Sequence, residues 1–390
     1  MERESILISN KSIAIVGAGP AGCASALFLQ NYGFEDITLF DFGKVLRTIL
    51  PTGGGRCNIT NAQYDYREFA KNYPRGEKFL YSILSKFGAQ DTVNFFKSIG
   101  VETYTQDDSR IFPVSNSSSD VRNKILNKLH CKIVKEKVLS IVPLDNCYKL
   151  VTSKSSYAFD IIIIAIGGHS DFSLFKELGV NIIEPTQSLV GLCTKEDFSN
   201  ISGVSIKNAI ADNIQGDILF THQGISGPLI YTLSSLYAKR EIPYELFIKL
   251  AEIDNFQDLL NQNSHKDIKN LISKFVPKSI SEYILNTLGI DPARKAHTID
   301  GKTRDSIKNY IEKFKITVTG KKADGEVVTC GGIDLKEFNP QTLELKKHPN
   351  IYCCGEVMDI DGFCGGFNLQ NCWSGAYVAA TAIAQQENLH

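Results

Sequence analysis

The 390-residue sequence lacks long hydrophobic runs and a surplus of charge of either sign. Its longest apolar stretches, such as Ile161–Ile166, are far shorter than the roughly 18 residues that a membrane-spanning helix needs, so we expect no membrane partner. The formal net charge is −1, which gives no electrostatic reason to expect nucleic acid as a partner. Low-complexity tracts and internal repeats are also missing, and the length suits two globular domains.

The sequence also lacks cysteines at the spacing of a metal-binding or redox motif. The ten cysteines follow no repeated spacing and include no Cys-x-x-Cys pair, which argues against a zinc knuckle or a thioredoxin-like site. Residues 1–10 carry two glutamates and only a short apolar stretch, unlike a secretory signal. We therefore expect reduced thiols, a cytoplasmic protein and no metal site, while the oligomeric state stays open.

A nucleotide-binding pattern is present near the N-terminus. Ser12–Val16 has the composition of a buried strand, Pro20–Tyr32 has helical spacing of its apolar residues, and Ile37–Phe40 is a second strand that ends in Asp41. The turn Gly17–Gly22 carries the pattern Gly-x-Gly-x-x-Gly between the first strand and the helix. Strand, helix and strand within about thirty residues predict a βαβ unit of the Rossmann type.

Each glycine of this turn has a separate expected role. Gly17 permits the tight turn, Gly19 lets the backbone approach a pyrophosphate, and Gly22 lets the helix pack against the strand. The helix N-terminus offers N–H groups and the positive end of its dipole to phosphate. Asp41, nineteen residues after Gly22, is placed to accept hydrogen bonds from ribose hydroxyls.

A matching pattern lies near the C-terminus. Ile351–Cys353 predicts a strand, and the acidic Glu356 follows it. The glycine-rich segment Gly362–Gln370 then leads into a helical run, Trp373–Ala384. The two ends of the chain together predict one flavin site, in which the start of this helix stabilises the negative charge of the reduced ring. Glu356 is expected to bind hydroxyls of the ribityl chain or hydroxyls close to the phosphates.

A third glycine-rich segment follows Asp41. In Gly53–Gly55 the backbone is expected to run along the cofactor, with Arg56 near a phosphate or a charged part of the substrate. Cys57 raises the alternative of a flavin-disulfide reductase, but none of the next five residues is a second cysteine. A structural thiol is therefore the preferred interpretation.

His222 leaves two interpretations open. In the first, residues 220–228 begin a helix, with Ser226 as its cap and Pro228 at the first helical position. In the second, His222 lies in the cleft as a proton donor or substrate ligand. No second Gly-x-Gly-x-x-Gly marks a nicotinamide domain, so any NAD(P)H is expected to bind transiently over the flavin ring.

The remaining pattern predicts a discontinuous α/β domain. Asp160–Gly168 is hydrophobic throughout, as in a central parallel strand, and Lys132–Tyr157 predicts a β-meander. From about residue 190 the composition changes to alternating strands and then to polar helices. We expect a Rossmann-like FAD-binding domain of residues 1–189 and 327–390. We expect an inserted domain of residues 190–326 that is β-barrel-like over 190–250 and 315–326 and helical over 251–314.

Taken together, the motifs resemble the BaiN-like family of FAD-dependent oxidoreductases over nearly the whole chain. The segment Gly43–Thr48 departs from the family pattern. The most specific matches are Gly54-Gly55-Arg56-Cys57-Asn58 and Gly365-Gly366-Phe367-Asn368-Leu369-Gln370. Further matches are Val16–Gly22, Ile59–Asn61, Arg110–Ser115, Phe220–His222, Gly224–Pro228, Val328–Ile333 and Gly355–Gly362.

The resemblance implies non-covalent FAD in a flavoprotein fold of the two-dinucleotide-binding-domain type, with an inserted barrel and helices. Arg56 and His222 are the candidate catalytic residues. The residues expected to bind the cofactor are Gly17, Ala18, Gly19, Pro20, Ala21, Gly22, Asp41, Gly53, Gly54, Gly55, Arg56, Cys57, Asn58, Val138, Ala165, Gly167, Gly355, Glu356, Gly365, Gly366, Asn368 and Leu369.

Two functions from different classes follow. The first is hydride transfer between flavin N5 and a small or steroid-like organic substrate, either reducing an activated C=C bond with NAD(P)H as donor or oxidising an amine or a C–H bond. The second is a FAD-binding protein that modifies RNA or has a regulatory role. The near-neutral charge and the lack of a basic arm favour the small-molecule partner over nucleic acid.

Overall fold

Both ends of the chain contribute to one of its two compact units. The computed structural model describes residues 11–322 and 328–387. The first unit contains the described residues of Met1–Thr186 and Val328–His390, and the second contains those of Gln187–Val327. Residues 1–10, which the interpretation of the N-terminus concerned, and 323–327, where a domain boundary was expected, lie outside the described residues.

The described chain forms short strands and mostly short helices. The strands are β1 Ile13–Val16, β2 Ile37–Phe40, β3 Thr60–Asn61, β4 Thr103–Thr105, β5 Arg110–Pro113, β6 Lys132–Val134, β7 Val138–Pro143, β8 Tyr148–Thr152, β9 Ser156–Phe159, β10 Ile161–Ile164, β11 Ile182–Ser188, β12 Leu192–Thr194, β13 Ser205–Ala211, β14 Ile214–Thr221, β15 Gly224–Ser226, β16 Tyr244–Ile248, β17 Phe314–Lys321, β18 Val328–Ile333, β19 Glu344–Leu345 and β20 His348–Cys353. The α-helices are α1 Pro20–Asn31, α2 Thr52–Gly55, α3 Tyr66–Ala70, α4 Glu77–Leu84, α5 Ala89–Ser98, α6 Ser118–Lys128, α7 Pro228–Leu236, α8 Phe256–Gln262, α9 Ile268–Ile272, α10 Lys278–Thr287, α11 Gly301–Glu312 and α12 Phe367–Gln386.

A six-stranded sheet forms the centre of the first unit, in the order β19-β20-β10-β1-β2-β6. Its strands are parallel except for β19 at the edge, and β1 is in register with β10 from Ile13 opposite Ile161 to Val16 opposite Ile164. All four residues of β1, β2 and β10 are buried. Continuous burial is typical of parallel strands covered on both faces, and it explains the uninterrupted hydrophobic runs in the sequence.

Two predicted boundaries differ from the structure. Lys132–Val134 does not belong to the β-meander but pairs in parallel with β2 at the edge of the main sheet. The antiparallel meander is formed by β7, β8 and β9 alone. Helix α12 begins at Phe367, earlier than the predicted run from Trp373, directly after Gly366, whose left-handed φ of +95° ends the preceding loop.

The second unit contains an antiparallel sheet in the order β13-β14-β15-β12-β17-β16. Ile210 and Lys249 exchange backbone hydrogen bonds of 2.9 and 2.8 Å beyond the end of β16, which joins the two edges of the sheet. Phe198, Phe220 and Phe314 pack inside it with ring centroids 5.0 to 6.1 Å apart. The structure therefore confirms an α/β flavoprotein-type fold with an inserted barrel and helices.

Candidate flavin site

The turn between β1 and α1 is set by two glycines that contact backbone. Gly17 has a φ of +106°, and a Cβ there would lie 2.3 Å from the carbonyl oxygen of Ala165. A Cβ on Gly22 would lie 1.9 Å from the carbonyl oxygen of Gly17. Neither position has room for a side chain, so these two glycines allow the helix, the turn and β10 to pack closely.

Gly19 differs from them because space is open beside it. It is the N-cap of α1 with a φ of −79°, and a Cβ there would meet only Thr48 Oγ1, at 3.7 Å. Pro20 occupies the first helical position, and no side chain caps the helix. The first-turn N–H groups therefore face a space suited to an anion, which fits the pyrophosphate of FAD.

Asp41 holds the turn in place. Its Oδ2 accepts a hydrogen bond from Ala18 N–H at 2.8 Å, and its Oδ1 accepts one from Gly43 N–H at 2.7 Å. A carboxylate has about four acceptor positions, so both oxygens retain capacity for ribose hydroxyls. The contact between Asp41 and the adenosine ribose stays a prediction.

The residues after β10 and β20 converge on the same helix N-terminus. A Cβ on Gly355, which has a φ of +80°, would lie 3.0 Å from Cβ of Ala21 in the first turn of α1. Glu356 follows directly and is half-buried. Gly167 has a φ of +79° and open space around its Cα, whereas Val138 is a buried residue at the start of β7.

The triple-glycine segment forms one turn of left-handed backbone. The φ angles of Gly53, Gly54 and Gly55 are +58°, +68° and +83°. A Cβ on Gly53 would lie 2.7 Å from the ring of Phe112, whereas a Cβ on Gly54 or Gly55 would meet nothing within 4 Å. The guanidinium of Arg56 lies over Phe112, 4.1 Å from the ring centroid.

Cys57 is fully buried and has a φ of +67°. Burial raises the pKa of its thiol to about 12. Because the thiolate is the reactive form, a thiol that is neutral near pH 7 is a poor redox partner for a flavin. This geometry supports the structural interpretation of Cys57.

The two most specific motifs bind each other. The side-chain oxygen of Asn58 faces Gly366 and accepts a hydrogen bond from its N–H at 2.9 Å. The side-chain nitrogen of Asn58 donates to the carbonyl of Thr60 at 3.0 Å. Asn61 donates to the carbonyl of Gly365 at 3.1 Å, and the indole of Trp373 donates to the carbonyl of Ile59 at 3.0 Å. We call this set of contacts between residues 58–61 and 365–374 the motif lock.

Gln370 lies at the centre of the motif lock and is completely buried. Its Oε1 accepts from Thr60 at 2.5 Å and from Thr92 at 2.9 Å, while its Nε2 donates to Ser374 at 2.8 Å. Each of these polar groups has a partner, as burial requires. The sequence offered one signal for this role, a glutamine within the apolar part of a helix, but its partners in other segments could not be identified.

The backbone of the loop before α12 lies in close contact with the backbone around Thr60. A Cβ on Gly366 would lie 2.5 Å from the carbonyl oxygen of Thr60. The amide of Asn368 binds both the N–H and the carbonyl of Gly362, each at 2.7 Å. Gly366 N–H is used by Asn58, so any N–H groups offered to a flavin come from Phe367, Asn368 and Leu369 in the first helical turn.

His222 belongs to the second unit. It is exposed in the turn between β14 and β15, and Gly227 rather than Ser226 is the N-cap of α7. Pro228 occupies the first position of α7 as expected, and the hydroxyl of Ser226 donates instead to Tyr231 Oη at 3.0 Å. The cap interpretation is therefore corrected for Ser226, and the catalytic role of His222 stays a prediction.

The Rossmann turn, the glycine-rich segment and the helix entry fit FAD and define the class of a FAD-dependent oxidoreductase. The chain belongs to the HI0933-like family, whose Rossmann-domain model matches residues 11–382. Within the described residues, no helix is long and apolar enough to cross a membrane, and no group of three or more His, Cys, Asp or Glu side chains could hold a metal ion.

Two curated relatives match over nearly their full length. A ribosomal RNA dihydrouridine synthase of Haemophilus influenzae is 26% identical, covering 95% of this chain and 98% of its own. A 3-dehydro-bile acid delta(4,6)-reductase of Clostridium scindens is 24% identical, covering 96% and 99%. The second relative confirms the resemblance to the BaiN-like family.

A solved structure supports the fold alone. A 3-ketosteroid delta1-dehydrogenase from Sterolibacterium denitrificans superposes with a TM-score of 0.51 at 10% identity, covering 96% of this chain and 99% of its own. The predicted enzyme class, a FAD-dependent oxidoreductase, is confirmed by the family match together with the C. scindens relative.

Proposed function

We propose that the protein reduces a C=C bond that is conjugated to a carbonyl group, with NAD(P)H as electron donor. One observation carries the proposal: the two relatives are named for different substrates but for the same kind of reaction. Dihydrouridine arises when the C5=C6 bond next to the uracil C4 carbonyl is saturated. The delta-4 and delta-6 double bonds of a 3-oxo steroid are likewise conjugated to its carbonyl.

Bound FAD supplies two-electron transfer chemistry, and the chain supplies binding and orientation. The first turn of α1 and Gly19 would hold the pyrophosphate, and Asp41 the adenosine ribose. The start of α12 would lie near the flavin ring. The substrate carbon next to the carbonyl also needs a proton, and His222 is the candidate donor on the chain.

Uridine in RNA is the first candidate substrate, supported by the H. influenzae relative. A steroid with a conjugated enone is the second, supported by the C. scindens relative and by the near-neutral charge of the chain. Both substrates present a flat, conjugated carbonyl system, so one reaction type accommodates either of them.

The test is an anaerobic assay of the FAD-loaded protein with NADH or NADPH. The substrates are a ribosomal RNA transcript free of modifications and a 4-ene-3-oxo steroid, and mass spectrometry detects the gain of two hydrogens. Free FAD with the same donor is the control. Flavin reduction without saturation of either substrate would refute the proposed reaction.

The role of His222 requires its own variant. If His222 donates the proton, His222→Gln should lower kcat at least about tenfold. It should also remove the fall in kcat at high pH that deprotonation of the donor causes. Flavin reduction by NAD(P)H should stay unchanged, because it precedes the proton transfer to substrate. An unaltered kcat and pH profile would show that the proton comes from elsewhere.

A further inference from the structure

Arg56 carries a half-buried charge without an acidic partner among residues 11–322 and 328–387. Its Nε donates to the carbonyl of Gly53 at 3.2 Å. Within the same described residues, its two terminal nitrogens make no hydrogen bond or ion pair. Since a partly buried charge is costly unless it is paired, an arginine in this state is typical of a site that binds an anion.

Phe112 holds the guanidinium in a fixed orientation. The ring is completely buried on β5, and the Arg56 guanidinium lies 4.1 Å from its centroid. The missing side chain of Gly53 makes room for the ring, because a Cβ there would approach it to 2.7 Å. The cation–π contact and the bond to the Gly53 carbonyl orient the guanidinium, so its remaining N–H groups can meet an oxyanion in pairs.

The chain beside Arg56 leaves space for a ligand. Gly54 and Gly55 have left-handed backbone, are exposed, and would place a Cβ in open space. Bare backbone on one side and an oriented guanidinium on the other form a place where a charged group can approach closely. The left-handed turn thus explains why glycines stand directly before the arginine.

Arg110 provides an internal comparison. Its guanidinium lies near the same ring, 5.6 Å from the centroid of Phe112. Its Nε and one terminal nitrogen bind Asp108 at 2.7 and 2.6 Å, so a carboxylate already balances its charge. The two arginines share one aromatic neighbour but differ in whether their charge is paired.

We infer that Arg56 binds an anionic oxygen group of the substrate and thereby determines substrate choice. The uncapped first turn of α1 beside Gly19 is the expected partner of the FAD pyrophosphate, which leaves Arg56 available for a second anion. The choice of ligand rests on the proposed function: RNA offers a phosphodiester and a bile acid offers a carboxylate. Both are oxyanions that a guanidinium binds through two parallel hydrogen bonds.

The test measures binding to FAD-loaded protein without turnover. A uridine-containing RNA oligonucleotide is followed by fluorescence anisotropy and cholate by the change in flavin fluorescence. Arg56→Ala should weaken binding of the RNA, the cholate or both about tenfold to hundredfold, and Arg56→Lys should recover only part of it. Arg110→Ala, which changes the net charge equally, should stay within about threefold of wild type.

Binding of RNA alone would identify a phosphodiester, and binding of cholate alone a carboxylate. For RNA, Arg56→Ala should also reduce the slope of log K against log salt concentration by about 1. Three results would overturn the inference: wild-type protein that binds neither probe, Arg56→Ala that binds both as wild type does, or Arg56→Ala that loses FAD instead. Because no turnover is needed, these outcomes are separate from failure of the reductase assay.

Discussion

Replacing Gly19 with valine should abolish FAD binding while the apoprotein stays folded. The φ of −79° and ψ of −170° at Gly19 are accessible to any residue, and a Cβ there meets only Thr48 Oγ1, at 3.7 Å. The backbone and the Cβ of the new residue therefore fit the fold. The valine side chain fills the space beside the first turn of α1, where the pyrophosphate is expected.

The expected effects on stability and on FAD affinity differ in size. Valine is a poorer N-cap than glycine, which costs the fold about 1 kcal/mol. Loss of two charge-assisted hydrogen bonds to phosphate costs about 3–6 kcal/mol, or about a hundredfold to ten-thousandfold in FAD affinity. Gly17→Ala should instead destabilise the fold. The left-handed backbone and a Cβ 2.3 Å from a carbonyl oxygen should lower the free energy of unfolding by about 2–5 kcal/mol.

The two variants are compared by urea denaturation of apoprotein and by titration with FAD, followed through flavin fluorescence. Gly19→Val should unfold near the wild-type urea concentration and bind FAD at least about a hundredfold more weakly, whereas Gly17→Ala should unfold at a much lower urea concentration. Wild-type FAD affinity in Gly19→Val, or a loss of stability as large as that of Gly17→Ala, would refute the reasoning.

Three further predictions concern the cofactor site. Cys57→Ser should leave reduction of the flavin by dithionite unchanged, because a thiol with a pKa raised by burial to about 12 stays neutral around pH 7; a charge-transfer band that vanishes in the variant would contradict this. Asp41→Ala and Glu356→Ala should each weaken FAD binding about tenfold to hundredfold in the same titration, and wild-type affinity in both would exclude the ribose and ribityl contacts. Gly366→Ala should lower the free energy of unfolding by about 2–5 kcal/mol and Gly54→Ala by only about 1–2 kcal/mol, because only the first variant places a Cβ against backbone. Equal urea midpoints for the two variants would show that the close approach of Gly366 to Thr60 does not contribute to stability.

The Rossmann part of the fold could be predicted because its signals are local. The spacing of Gly17, Gly19 and Gly22 between a strand and a helix determines the turn, and the unbroken hydrophobicity of β10 identifies a central strand. Strand β6 was placed wrongly because it forms the edge of the sheet, where Lys132 and Ile133 are exposed and continuous hydrophobicity is lost.

The motif lock could not be predicted, since its signals are distant in the chain. Asn58, Thr60 and Gln370 are polar residues a few positions after a glycine-rich segment, a pattern that equally indicates contact with a ligand. Only the fold shows that the Asn58 amide binds backbone groups of Thr60 and Gly366, and that the Thr60 hydroxyl donates to the Gln370 side chain. A single sequence contains no information that pairs a threonine with a glutamine 310 positions later.

The motif lock also determines when the flavin site can form during synthesis of the protein. Its hydrogen-bonded partners are separated by 304 to 314 residues, and a nascent chain emerges from the ribosome in order. The βαβ unit and the glycine turn are made early, but the entry to α12 has no counterpart until residues 365–374 have been synthesised. A flavin site that requires both segments would therefore be completed late in the maturation of the chain, after residues 58–61 and 365–374 have come together.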